Sequence, residues 1–276
     1  MGRGGLVSAV QLALHGRLRR DLLARLLLAF LGTVAIVAAG FAVLDPGSVN
    51  WGFLSLVLIA AIVGLALVAY GLRDSSASEL SLIAALAALA TAGRVLFASL
   101  PNFKPVTFIV LVSGVALGPA PGFMVGATTA VVSNLFFGQG PWTPWQMLAW
   151  GLVGVCGGVM GIKGRRPRRW ELVLVGAALS VGFDWFVTVW MYLSYTPHTW
   201  PALVALYGEG LPFDLSHLSA TAILAALFGP RAVAIIARFR ARTSVTFLTT
   251  PARSTAAAPY HGNLDALGGF DDASQP

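Results

Sequence analysis

Long apolar runs separated by short polar or Gly/Pro-rich breaks make up most of this chain. The runs cover about 22–44, 51–72, 78–99, 104–118, 121–138, 145–162, 170–195 and 213–236. Each is long enough, or slightly too short, to cross a bilayer as a helix, which takes about 20 residues. Apolar positions are continuous within a run and do not alternate, so helical spans fit and a membrane barrel does not. The expected fold class is all-α: a polytopic helical membrane protein with eight spans.

The breaks carry their own signals. Residues 45–50 make a short turn. Residues 75–79 open a helix, with Ser76 or Ser78 as candidate cap and Glu79 near its positive end. Residues 100–105 form an aromatic and polar cluster held by Pro101 and Pro105, and 118–122 form an uncharged Gly/Pro reversal. Residues 138–146 place two indoles and two amides at the next membrane edge. Residues 196–212 are the longest internal connection, with room for a short interfacial helix before the last span. The tail 243–276 is rich in Ala, Ser, Thr, Gly and Asp, lacks an apolar run, and is expected to be disordered.

Composition sharpens the membrane reading. Of 276 residues, 57% are hydrophobic and 11% charged, against about 25% charged in a typical soluble domain. The net charge of +7 would suggest nucleic acid in a soluble protein. Here the arginines sit between spans, so they report orientation, and no nucleic-acid partner is expected. Arg3, Arg17, Arg19, Arg20, Arg73, the cluster 163–169 and the C-terminal arginines fall on one side if residues 1–21 are cytoplasmic. Turns 45–50, 138–144 and 196–212 then fall outside with no Lys or Arg, and 100–105 with Lys104 alone. The positive-inside rule selects this topology, with both termini cytoplasmic in the cell membrane. Run 22–44 exceeds a signal core and has no Ala-x-Ala end, so it reads as a retained span.

The polar and aromatic residues therefore converge on the outer face. Phe103, Trp142 and Trp145 can stack on a flat ligand. Asn102, Asn134, Gln139, Gln146 and His217 offer hydrogen bonds, and Lys104 a charge. A few polar groups against aromatic walls is the usual form of a small-molecule site. Asp184 stands mid-span and must face the interior, where it pairs with Arg94, bonds a ligand, or is protonated. Arg94 either snorkels or reaches the site. His217 is either a site residue or a satisfied core histidine. The lone Cys156 excludes an internal disulfide and a Cys-rich metal site, and fits a small packed thiol. His-Glu-x-x-His, Gly-x-Ser-x-Gly, Walker and Cys-x-x-Cys motifs are all missing, so no catalytic residue, metal ligand or cofactor is assigned.

One stretch adds a family resemblance. Pro101-x-x-x-Pro105, a Gly-rich turn, Gly122-Phe123 and Gly126 come first. Ser133-Asn134 and Gly138-Gln139-Gly140-Pro141-Trp142-Thr143-Pro144-Trp145-Gln146 follow. Together they resemble the S component, the substrate-binding membrane subunit of energy-coupling-factor (ECF) vitamin transporters. The resemblance covers about 78–240 and leaves out the two spans before residue 73. It implies a six-helix substrate-binding unit over 75–242, preceded by two additional helices over 22–74. It further implies capture of a vitamin or its precursor outside and release inward after reorientation. The implied partners are a transmembrane coupling subunit and a pair of ABC-type ATPases. Ala84, Ala88 and Ala92 lie on one helix face by their spacing, which suits close helix packing. They also resemble the S-component surface that meets the coupling subunit. The 138–146 run looks closest to S components for cobalamin or similarly large ligands, and riboflavin-like heterocycles suit the aromatics too. Two other readings remain open: a self-sufficient secondary transporter coupled through Asp184 and Arg94, and a membrane-embedded enzyme in which Asp184, His217 and Glu209 converge.

Overall fold

The computed structural model describes residues 50–73 and 75–243. The basic N-terminus 1–21, the expected span 22–44, most of turn 45–50 and the tail beyond 243 lie outside the described residues. Those described form seven α-helices and no strand. They are α1 Trp51–Gly71, α2 Ala77–Leu96, α3 Val106–Leu117, α4 Pro119–Phe137, α5 Trp142–Met160, α6 Arg169–Tyr195 and α7 Trp200–Thr243. Five of them (α1, α2, α4, α6 and α7) are long and apolar enough to cross a membrane. The described residues are thus all-helical, with the length and apolarity of a polytopic membrane protein.

Local chemistry fixes most helix ends. Asn50 caps α1, its side chain accepting the Phe53 N–H at 2.9 Å. Ser76, and not Ser78, caps α2 by accepting from Glu79 N at 3.1 Å. Gly118, at φ 103°, separates α3 from α4, a conformation that costs glycine nothing. Pro119 then opens α4, where its missing N–H is not needed. Glu171 closes the first turn of α6, accepting the Arg168 N–H at 2.6 Å and pairing with Arg165.

α3 is the centre. Eleven of its 12 residues are buried, and Val110 and Leu111 are fully enclosed. Glycines let α4 and α5 close around it. A Cβ on Gly154 of α5 would collide with the Gly122 carbonyl of α4, and one on Gly114 of α3 with the Gly154 carbonyl. Backbones therefore touch directly, as small residues permit in lipid. α2 buries Leu82, Ile83, Leu86, Ala87, Ala90 and Thr91 inward. Ala84, Ala88 and Ala92 are exposed on its other side. α1 lies outside this group. Its Ile59 and Val63 pack with Phe123, Trp145, Leu148 and Trp190, and Tyr70 donates to Glu79 of α2 at 2.8 Å.

One expectation changes. The connection foreseen over 196–212 is only 196–199, because α7 runs unbroken for 44 residues, about 66 Å. Gly208, Gly210 and Pro212 each disfavour a helix interior. α7 instead pairs with the 27-residue α6 as a hairpin, with Tyr207 against the Trp185 ring and its hydroxyl donating to the Trp185 carbonyl. That tertiary contact compensates for the one backbone bond that Pro212 removes.

Candidate functional site

Two hydrogen-bonded groups face each other at one end of the bundle. The first is built on Arg94, in the last turn of α2. One of its terminal nitrogens donates to Ser133 Oγ at 2.5 Å and to Asn134 Oδ1 at 2.7 Å, both on α4. The guanidinium lies over the Phe137 ring at 4.7 Å and the Trp150 ring at 5.0 Å. Asn134 is 1% exposed and fully used. Its amide donates to Thr143 Oγ1 at 3.0 Å and to Gln146 Oε1 at 2.8 Å on α5. It thus links α2, α4 and α5 through one side chain. Asn134→Leu leaves Arg94 with Ser133 alone and takes a donor from Thr143 and Gln146 on α5. Each buried orphan costs about 1–3 kcal/mol, so the variant is expected to unfold at clearly lower temperature in a detergent melt.

The second group runs across α3, α5, α6 and α7. Trp150 Nε1–H donates to Thr107 Oγ1 at 3.1 Å. Thr107 Oγ1 lies 2.7 Å from His217 Nε2, and His217 Nδ1 lies 2.8 Å from Asp184 Oδ2. An imidazole protonated on Nδ1 satisfies every member: Thr107 donates to Nε2, and Nδ1–H donates to Asp184. Asp184 pairs with His217 and not with Arg94. The order Asp184–His217–Thr107 parallels that of an acid, base and nucleophile, yet Thr107 is 0% exposed. The group therefore meets solvent through His217 and Asp184, not through the hydroxyl. Next to it, the Trp185 indole donates to Asp214 Oδ2 at 2.9 Å.

Between the two groups lies a cavity of about 510 Å³. Arg94 and Gln146 line it from the first group and Asp184, Asp214 and His217 from beside the second, with the stacked rings of Trp150 and Phe183 between them. Every helix from α2 to α7 contributes to the lining, and α1 contributes nothing. Asn102 closes the mouth. Its φ of 52° is one asparagine tolerates, and its amide donates to Asp184 Oδ1 at 3.1 Å and the Phe213 carbonyl at 3.2 Å. Lys104 also reaches the cavity, donating to the Leu100 carbonyl at 3.1 Å. Burial, and then the nearby Arg94 charge, pushes the Lys104 ammonium below its ordinary pKa.

Of the residues singled out from sequence, Asn102, Lys104, Gln146, Asp184 and His217 share this cavity. Asn134 lies beneath the lining as the link just described. Gln139 sits at the α4–α5 turn, donating to the Val131 carbonyl and accepting from Thr143. Phe103 stacks on Phe97 at 6.3 Å. Trp142 and Trp145 meet Trp190 and Phe186 on the seam with α6. Sequence reasoning did not select Trp150, Phe183 or Asp214. Nothing local marks Trp150, since its partner Thr107 is 43 residues away. Asp214 had a weak signal, an acid three residues before His217. Glu209 is exposed and lines no part of the cavity.

The opposite end is basic. A second cavity, of about 430 Å³, opens beside Val115 and Gly118, with Lys163, Arg165, Arg166 and Arg240 around it. Arg240 donates to the Ala116 carbonyl at the end of α3. Among the described residues, no three His, Cys, Asp or Glu side chains gather in a metal-holding group.

No curated protein and no solved structure matches the chain. A protein family does match, over residues 74–243, described as a family of unknown function, DUF6580. The match begins just before α2 and ends with α7, so it covers the six helices that line the cavity and leaves out α1. This chain belongs to the DUF6580 family.

Proposed function

We propose that α2–α7 form a solute-binding unit and that the chain is the substrate-specific membrane subunit of an ATP-driven, ECF-type importer. The observation that carries this reading is the shared cavity. Six helices, the same six the family match covers, each give residues to one chamber with ordered polar groups on facing walls. A cavity of this size suits a vitamin-sized organic molecule. The basic turn 161–166 and the arginines ending α7 lie at the other end. Positive-inside orientation then turns the cavity outward. The exposed Ala84, Ala88 and Ala92 face suits a coupling subunit that approaches α2 closely.

The test is uptake in proteoliposomes, with the solute identified by mass spectrometry on the gently purified protein. Uptake is expected when a coupling subunit and ATPases are co-reconstituted with ATP, and not with this chain alone. Gradient-driven uptake by the chain alone would replace this reading with a secondary transporter. The Asp184–His217 pair at the cavity wall favours that second reading, since it offers a protonatable site where solute binds.

A further inference from the structure

The cavity separates its charges by sign. Arg94 and Lys104 approach the same Phe137 ring, at 4.7 and 6.0 Å. Neither has a carboxylate partner: among the described residues, Glu171 pairs with Arg165 and Asp184 is bonded by His217. Arg94 meets only neutral acceptors, through one of its nitrogens, and a guanidinium carries five N–H donors. Lys104 gives one of its three donors to a carbonyl.

The facing wall is acidic. Both oxygens of Asp184 are occupied, by Asn102 and His217. Asp214 is 6% exposed, and its Oδ2 takes the Trp185 N–H. Its Oδ1 has no hydrogen-bond donor among the described residues. Between the walls, the rings of Trp150 and Phe183 stack at 4.4 Å.

Enclosed charge is costly unless it is paired. Here two cations and two carboxylates share one chamber without pairing with each other. Arg94, Asp184 and Asp214 are held on helices and Lys104 on the loop before α3, so a bound molecule with both charges can supply the missing partners. We propose that the cavity takes an amphoteric solute, with an acid group held by Arg94 and Lys104, a cationic nitrogen held by Asp214 beside Asp184, and a flat body along Trp150 and Phe183. This inference rests on the cavity being the solute site.

Four probes of matched shape test it on the full-length purified protein by calorimetry. They are para-(aminomethyl)benzoate, para-toluate, para-methylbenzylamine and para-methylbenzyl alcohol. Each charge-assisted contact is expected to contribute roughly tenfold in affinity. The zwitterion should therefore bind tightest, each single ion roughly tenfold weaker, and the alcohol weakest. Arg94→Gln should bring the zwitterion down to the level of para-methylbenzylamine, while Arg94→Lys keeps most of its advantage. Asp214→Asn should bring it down to the level of para-toluate. The wild-type ranking alone decides the matter if a variant does not fold. The alcohol binding as tightly as the zwitterion overturns the amphoteric inference and leaves the solute site standing. Failure of all four to bind overturns both.

Discussion

Gly154→Val is expected to yield no folded, monodisperse protein in detergent, while Leu152→Val on the same helix purifies normally. Gly154 is where α3, α4 and α5 meet backbone to backbone. Its own Cβ would strike the Gly122 carbonyl, and the Gly114 position already abuts the Gly154 carbonyl. Neither obstacle is a flexible side-chain end, so nothing can rotate away. Overpacking in a core costs about 1–3 kcal/mol where side chains can shift. Here whole helices must separate, and α3 holds the buried centre of the bundle. Leu152 is 45% exposed, so trimming it leaves the interior intact. Size-exclusion profiles of the two variants check the prediction. A monodisperse Gly154→Val protein with wild-type melting would mean that the three helices do not touch as described.

The second large effect is expected for Asp184→Leu. Asp184 accepts from His217 at 2.8 Å and from Asn102 at 3.1 Å, so one substitution strands an imidazole within the bundle and frees the strained turn at the mouth. Leaving a buried hydrogen-bonding group unsatisfied costs about 1–3 kcal/mol, and here both the imidazole and the Asn102 amide lose a partner. The Asp184 side chain is 12% and the His217 side chain 4% exposed, so solvent offers little compensation. A detergent melt should show a large fall in midpoint, and binding of para-(aminomethyl)benzoate should drop with it. Asp184→Asn retains acceptor capacity for one partner and should recover part of the stability. Equal melting of the leucine variant and wild type would show that the pair carries little weight.

Apolar continuity made most of the fold legible. The runs expected over 51–72, 78–99, 121–138 and 170–195 became helices within a few residues of those limits, because lipid and helix both require unbroken apolar sequence. The start of α7 was not legible. Gly208, Gly210 and Pro212 have local preferences against a helix, and only contact with α6, distant in sequence, overrides them.

The site was legible in part for a geometric reason. Asp184 stood out as a charge where lipid disfavours it, and such a group must turn inward; Asn102, Lys104 and His217 stood out as polar groups gathered at the outer edge. The run 138–146 looked like one cluster, yet a helix turns about 100° per residue. Trp145 and Gln146 therefore cannot share a wall: Gln146 faces the cavity with Trp150, one turn along, while Trp145 faces α6. Phe183, next to Asp184, was hidden among many apolar neighbours.

The shortness of α3 has an electrical consequence. Val106 borders one cavity and Val115 the other. The rise between them is about 14 Å, roughly half the thickness of a bilayer core. Where water enters both vestibules, a transmembrane voltage falls across this thin plug and not across the full membrane. A field so concentrated is about twice as steep as in the surrounding lipid, and a unit charge crossing it exchanges about 2.3 kcal/mol per 100 mV. On the importer reading proposed above, a solute with balanced charges would cross that field at no net electrical cost, whereas the resting potential would set the passage of a bare anion or cation.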